Sequence, residues 1–136
     1  SVLFTSDLIK NITIPCEIDF MAVSSFGNSA QTSGVVRILK DLDSDIENKH
    51  VLIVEDIVDT GTTLSYLLEY LKARKAASIE IVALLDKEAR RTSNVSAKYK
   101  GFDVPDEFIV GYGIDYAEKY RNLPFIGALK EEIYNK

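Results

Sequence analysis

Residues 51–63 read VLIVEDIVDTGTT, and the change of pattern inside this stretch decides the fold class. Val51 to Val54 is a continuous β-branched and aliphatic run, as expected of a strand buried on both faces. Two adjacent acids, Glu55 and Asp56, follow as it ends. Asp59 then leads into Thr60, Gly61, Thr62 and Thr63, which open a helix. Leu64, Leu67, Leu68 and Leu71 recur at i, i+3, i+4 and i+7, one apolar helix stripe, and Lys72, Arg74 and Lys75 sit near its C-terminal end, where the dipole favours cations. Ile79 to Leu85 is a second apolar strand. Strand, helix and strand in this order form a βαβ unit, which implies a right-handed crossover and a parallel sheet.

Outward from this unit the signals are weaker. Val2 to Ile12 suits a helix packed on the sheet through Val2, Leu3, Phe4, Leu8, Ile9 and Ile12. Ile18 to Val23 and Val35 to Leu39 read as strands, with Phe108 to Val110 and Phe125 to Leu129 as short later ones. Between the first two lies SSFGNSAQTSG, residues 24–34, small, polar and glycine-bounded, the composition of a mobile loop with its own task. Lys87 to Gly101 reads as a basic, polar connection. The expected class is α/β, a central, mainly parallel sheet flanked by helices, in one domain covering 1–136.

Composition agrees. The chain has 136 residues, 46% of them hydrophobic, enough for one core and too few for two ordinary domains. There are 16 Lys and Arg against 21 Asp and Glu, a net charge of −5. That balance opposes salt-driven binding to nucleic acid or to an anionic membrane, both of which need a positive field. No apolar run approaches a membrane span, and residues 1–10 lack the layout of a secretory signal, so a cytoplasmic protein is expected. Cys16, the single cysteine, has no intrachain partner and reads as a small packed hydrophobe beside a strand. His50 reads as a surface residue.

The chemistry sits where the first apolar strand meets its helix. In an open parallel sheet, ligands bind beyond the carboxyl ends of strands. A helix N-terminus offers unpaired N–H groups and partial positive charge, Gly61 allows close approach, and the threonine hydroxyls add donors, which together make a phosphate cradle. The lysine of a P-loop is missing, which argues against a nucleoside triphosphatase. Glu55 and Asp56 would repel a second phosphate and suit the adjacent hydroxyls of a ribose. Read alone, Asp56 and Asp59 could be turn and cap residues.

VLIVEDIVDTGTT resembles the phosphoribosyl-pyrophosphate signature of the type I phosphoribosyltransferases. FMAVSSFGNSAQTSG at 20–34, RILKDLD at 37–43, LLDKEARR at 84–91, VPDEFIVGYGIDY from 104 and YRNLP at 120–124 resemble the hypoxanthine-guanine enzymes of purine salvage. The resemblance implies that Asp56, Thr60, Gly61, Thr62 and Thr63 surround the 5′-phosphate and ribose, with Glu55 and Asp56 bonded to ribose hydroxyls. Asp59 would act as general base or acid at purine N7. Lys87 would donate to the oxygen at purine C6, where adenine presents a donor instead. By itself it would read as a solvated strand-end lysine.

Phe108 is expected to stack on the base, Ile109 to contact its edge through the backbone, and Arg121 to reach pyrophosphate with its fork of donors. Asp115, near the base, would help bind magnesium together with Glu55 and Asp56. The Mg2+ ion would neutralise the pyrophosphate leaving group. Ser25 and Phe26 fall in the segment that resembles the family's closing loop, which would cover the site and exclude water. The implied partners are phosphoribosyl pyrophosphate and a 6-oxopurine, and the implied assembly is a homodimer or homotetramer.

Two departures from the family pattern stand out. Ser25 is followed by Phe26 where the family carries tyrosine, so a hydroxyl contact would be lost while backbone donors survive. A leucine-lysine-glycine turn that binds pyrophosphate precedes the family's equivalent of Ser1. The expectation is therefore a domain lacking its N-terminal segment, poorly active as it stands and incompletely covered on one side of the sheet. Two other classes compete. The acids of IVED with the later LLDK suggest a phosphoacceptor receiver domain, with Asp86 as acceptor, but such domains do not follow their acidic pair with a threonine-glycine cradle. A nucleotide-sensing regulator on the same fold would need a DNA-binding segment, and no basic stripe is present.

Overall fold

The computed structural model describes residues 1–25 and 36–135. Their order is α1 (Val2–Ile9), β1 (Ala22–Ser25), β2 (Val36–Lys40), β3 (His50–Val58), α2 (Thr62–Lys72), β4 (Ser78–Asp86), a 3-10 turn (Glu88–Arg90), β5 (Tyr99–Asp103), β6 (Ile109–Val110), β7 (Gly127–Ala128) and α3 (Glu131–Tyr134). The βαβ unit forms as the periodicity predicts: β3 and β4 pair in parallel from His50↔Ser78 to Val58↔Asp86, with α2 between them. β5 joins the other side of β4, also parallel, giving the order β3-β4-β5. β1 and β2 form a separate antiparallel pair with a bulge between Ala22 and Val23, and β6 pairs antiparallel with β7.

The core lies between α2 and the parallel sheet. Val58, Leu64, Ile81, Ala83 and Val95 are buried together, and Ile53, Leu68 and Ala97 pack against them. Leu64, Leu67 and Leu71, three of the four leucines in the stripe, are the buried residues of α2. Among the described residues no helix is long and apolar enough to cross a membrane.

The structure corrects several expectations. β3 does not stop at Val54: it runs to Val58, so Glu55 and Asp56 lie within it, because pairing to β4 holds the backbone extended past the apolar run. β5 begins within the stretch expected to be a polar connection, Lys87 to Gly101, and runs past it to Asp103. Its residues, YKGFD, are exposed throughout, as an edge strand can be, so no apolar alternation announces it. Gly101 is needed there for close approach, since a Cβ would sit 2.7 Å from the Leu84 carbonyl oxygen.

The first helix ends at Ile9, and no residue of it is buried. Cys16 is exposed, since residues 15–21 form no strand and the next one begins at Ala22. His50 is exposed as expected, its Nδ1 2.7 Å from the Ser78 hydroxyl.

Candidate active site

Parallel register is what assembles the site. Val58 and Asp86 are partners at the ends of β3 and β4, so the next residue of each strand, Asp59 and Lys87, emerges at the same edge of the sheet. The backbone closes this edge, with the Lys87 N–H donating to the Val58 carbonyl at 2.9 Å. On the far side Asp86 pairs with Asp103 of β5, and Val104 N–H donates to the Asp86 carbonyl at 2.9 Å. The segment leading to Phe108 thus leaves from the same edge. This is the carboxyl end of a parallel sheet, where ligands bind in this class of fold.

Asp59 and the expected cradle residues Thr60 and Gly61 form the turn into α2. Gly61 is the N-cap residue, at φ +83°, and has no side chain with which to cap the helix. The Thr62 N–H donates to the Thr60 hydroxyl at 3.5 Å, and the first-turn N–H groups that follow, which have no partner inside a helix, can meet a ligand. A left-handed backbone here requires glycine, and a Cβ would lie 2.4 Å from the Ser93 hydroxyl. Thr60 and Thr62 hydroxyls lie 3.4 Å apart, both partly buried beside Thr63.

A second segment holds this turn from outside. Arg91 donates through Nε to the Asp59 carbonyl at 3.1 Å and through Nη1 to the Val95 carbonyl at 2.6 Å. Its Nη2 donates to the carboxylate of Asp86, which is buried. Thr92 N–H and the Ser93 hydroxyl both donate to the Thr60 carbonyl, at 3.0 and 3.1 Å. Sequence reasoning gave Arg91 no role; its signal was the paired arginine ending LLDKEARR.

Lys87 is not the solvated lysine that its strand-end position suggests. It is 6% exposed, and its Nζ donates to the Glu107 carbonyl at 2.7 Å. That bond ties the β4 end to the segment bearing Phe108, which an ammonium with three donors can do while keeping others for a ligand. Phe108 is partly exposed, its ring edge-on to Tyr116 at 5.3 Å between centroids and tilted to Tyr134 at 5.2 Å. Ile109 is buried in β6.

Asp115 and Arg121 are brought together, Oδ1 to Nη2 at 3.5 Å, while Asp115 Oδ2 accepts the Glu118 N–H at 2.9 Å. Arg121 also donates to the Gly113 carbonyl at 2.8 Å and pairs with Glu118. Phe26 and the rest of the expected closing segment to Gly34 lie outside the described residues, as does the Ser25 side chain.

Glu55 and Asp56 make an electrostatically uneven pair. Burial, reinforced by the charge of Asp56, pushes the Glu55 carboxyl up to about 7. Asp56 Oδ1 accepts the Ile57 N–H at 2.7 Å. Asp56 Oδ2 lies 3.7 Å from the Ser1 amino group, and carboxylate oxygens are the hard donors that a small divalent cation takes. Asp115, with both oxygens engaged, fits less directly.

Asp86, Glu88 and Asp103 also converge within 4.8 Å, but Arg91 and Lys100 already neutralise that group. Asp86 is 4% exposed under these cations, which leaves a receiver-domain reading without an accessible phosphoacceptor.

The model of the phosphoribosyl transferase domain matches residues 1–117. A hypoxanthine-guanine phosphoribosyltransferase of Bacillus subtilis is 57% identical over 131 residues, 96% of this chain and 73% of that protein. The crystal structure of a hypoxanthine phosphoribosyltransferase from Staphylococcus aureus superposes with a TM-score of 0.97 at 57% identity, over 100% of this chain and 74% of that one. A hypoxanthine phosphoribosyltransferase from Trypanosoma cruzi, in a ternary substrates complex, gives 0.91 at 44% identity, over 97% of this chain and 72% of that one. With a family model over most of the chain and relatives this similar along nearly all of it, the chain belongs to the phosphoribosyl transferase domain family and, within it, to the hypoxanthine-guanine phosphoribosyltransferases.

Proposed function

We propose that this chain transfers the 5-phosphoribosyl group of phosphoribosyl pyrophosphate to N9 of hypoxanthine or guanine in purine salvage, releasing pyrophosphate. The observation that carries the reading is the emergence of Asp59 and Lys87 from register-paired strand ends, beside a helix N-terminus whose N-cap residue is Gly61.

In this reading the first turn of α2, with Thr60, Gly61, Thr62 and Thr63, binds the 5′-phosphate, and Glu55 and Asp56 bind the ribose hydroxyls. As the bond from C1 of the ribose to N9 forms and the bond to pyrophosphate breaks, Asp59 accepts the proton that leaves purine N7. Lys87 donates to the C6 oxygen. Phe108 packs on the base and Ile109 meets its edge. Arg121 turns from Glu118 toward pyrophosphate. Magnesium, for which Glu55 and Asp56 are the fitting donors, with Asp115 as a further one, would neutralise charge on the leaving group. The proposal includes a homodimer or homotetramer working in the cytoplasm.

The test compares the full-length protein with Asp59→Asn in an assay containing phosphoribosyl pyrophosphate, magnesium and each base in turn. Loss of the base is expected to slow turnover by roughly 10²–10⁴-fold. Equal rates would remove Asp59 from the reaction.

A further inference from the structure

Asp59 presents its two carboxylate oxygens unequally. Oδ1 has no accessible surface and accepts no hydrogen bond, yet the side chain as a whole keeps 45% of its exposure. What the carboxylate offers to a ligand is therefore Oδ2. A covered carboxylate oxygen without a partner is unfavourable unless charge nearby compensates it. Arg90 supplies that charge: its Nε lies 3.0 Å from Oδ1, in ion-pair contact but not in hydrogen-bond alignment.

Arg90 is itself held. It ends the 3-10 turn, its N–H donates to the Lys87 carbonyl at 3.2 Å, and the next residue is Arg91, anchored on Asp86 and on the Asp59 carbonyl. Its Nη1 lies 3.8 Å from Asp106. The guanidinium thus stands between Asp59, past the end of β3, and Asp106, past the end of β5, joining the turn that carries the base to the segment leading to Phe108.

We propose that Arg90 is a positioning residue for Asp59: by occupying the side of Oδ1, it fixes the carboxylate so that Oδ2 alone is presented to the proton at purine N7. This rests on the assignment of Asp59 as the base. A carboxylate free to rotate would spend part of its time misaligned, and misalignment of a reacting group slows the chemical step without weakening the binding of a substrate that touches other residues. The effect falls on the rate of bond formation and not on the affinity for phosphoribosyl pyrophosphate, which the α2 cradle holds.

The experiment measures single-turnover nucleotide formation and the KM for phosphoribosyl pyrophosphate in Arg90→Ala, Arg90→Lys, Asp59→Asn and the double variant Asp59→Asn/Arg90→Ala. Arg90→Ala is expected to slow the single-turnover rate about tenfold with KM changed by less than about twofold. Arg90→Lys, which keeps the charge, is expected to recover most of the loss. In the Asp59→Asn background, removal of Arg90 is expected to cost almost nothing further, because the two act as one unit. A fully active Arg90→Ala protein beside a crippled Asp59→Asn protein overturns the Arg90 proposal alone. So do losses that multiply in the double variant, or a loss confined to KM. An active Asp59→Asn protein overturns the reading beneath it, and is recognised without any Arg90 variant.

Discussion

Arg91 joins its guanidinium to the buried carboxylate of Asp86 while donating to the carbonyls of Asp59 and Val95, so one side chain fixes the end of β4, the turn into α2 and the returning loop. The pair is largely out of water, with the arginine 14% and the aspartate 4% exposed. Removing one member leaves a buried charge without its main partner, with only Lys100 at 3.8 Å remaining beside Asp86, at a cost of up to about 3–5 kcal/mol. Arg91→Ala and Asp86→Asn should each lower stability by that order in urea denaturation. The double variant should lose less than the two losses added. Strict additivity would show that the two residues contribute separately.

Gly61 combines a left-handed backbone with a Cβ position 2.4 Å from the Ser93 hydroxyl and 3.1 Å from Arg91 Cδ. Gly61→Ala should cost about 1–2 kcal/mol from the backbone alone, with more from displacement of the 91–95 loop. Because the same residue is the N-cap of α2, affinity for phosphoribosyl pyrophosphate should fall about tenfold or more, measured by calorimetric titration. An alanine variant with unchanged affinity and stability would mean that the turn relaxes freely.

Lys87 is buried and bonded to the Glu107 carbonyl, so its replacement should act on the base and not on the phosphoribosyl donor. Lys87→Met should raise the KM for hypoxanthine about 10–100-fold, the equivalent of one charge-assisted hydrogen bond. The KM for phosphoribosyl pyrophosphate should stay within about twofold. An equal rise in both constants would point to collapse of the site and against recognition at C6.

Glu55 gives the free protein a pH dependence of definite sign. Its carboxyl titrates near 4.5 when unfolded and is pushed up to about 7 in the fold, by burial first and by Asp56 second. Below about pH 4.5 the group is neutral in both states and costs nothing. The penalty grows as pH rises toward 7 and is complete above it. Relative to Glu55→Gln, the parent should lose about 1–3 kcal/mol of stability between pH 4.5 and 8, after allowance for solvent screening. Parallel stability curves for the two proteins across that range would exclude an elevated Glu55.

The amino-acid sequence by itself determined the βαβ unit, the leucine face of α2 and the threonine-glycine turn that opens it, because each follows from periodicity or backbone chemistry within a few residues. It also carried the family resemblance, through segments at 20–43, 51–63, 84–91 and 104–124. Three things escaped it for physical reasons. β5 is an exposed edge strand whose backbone pairing, not apolar side chains, defines it. The extension of β3 through Glu55 and Asp56 depends on hydrogen bonding to β4. The ion pair of Arg90 with Asp59 and the hydrogen bond from Arg91 to the Asp59 carbonyl span the end of one strand and the loop after another. Only the tertiary structure decided that Asp59, Lys87 and the segment before Phe108 leave one edge of the sheet together, since parallel register is set by residues far apart in the chain, and no local pattern encodes it.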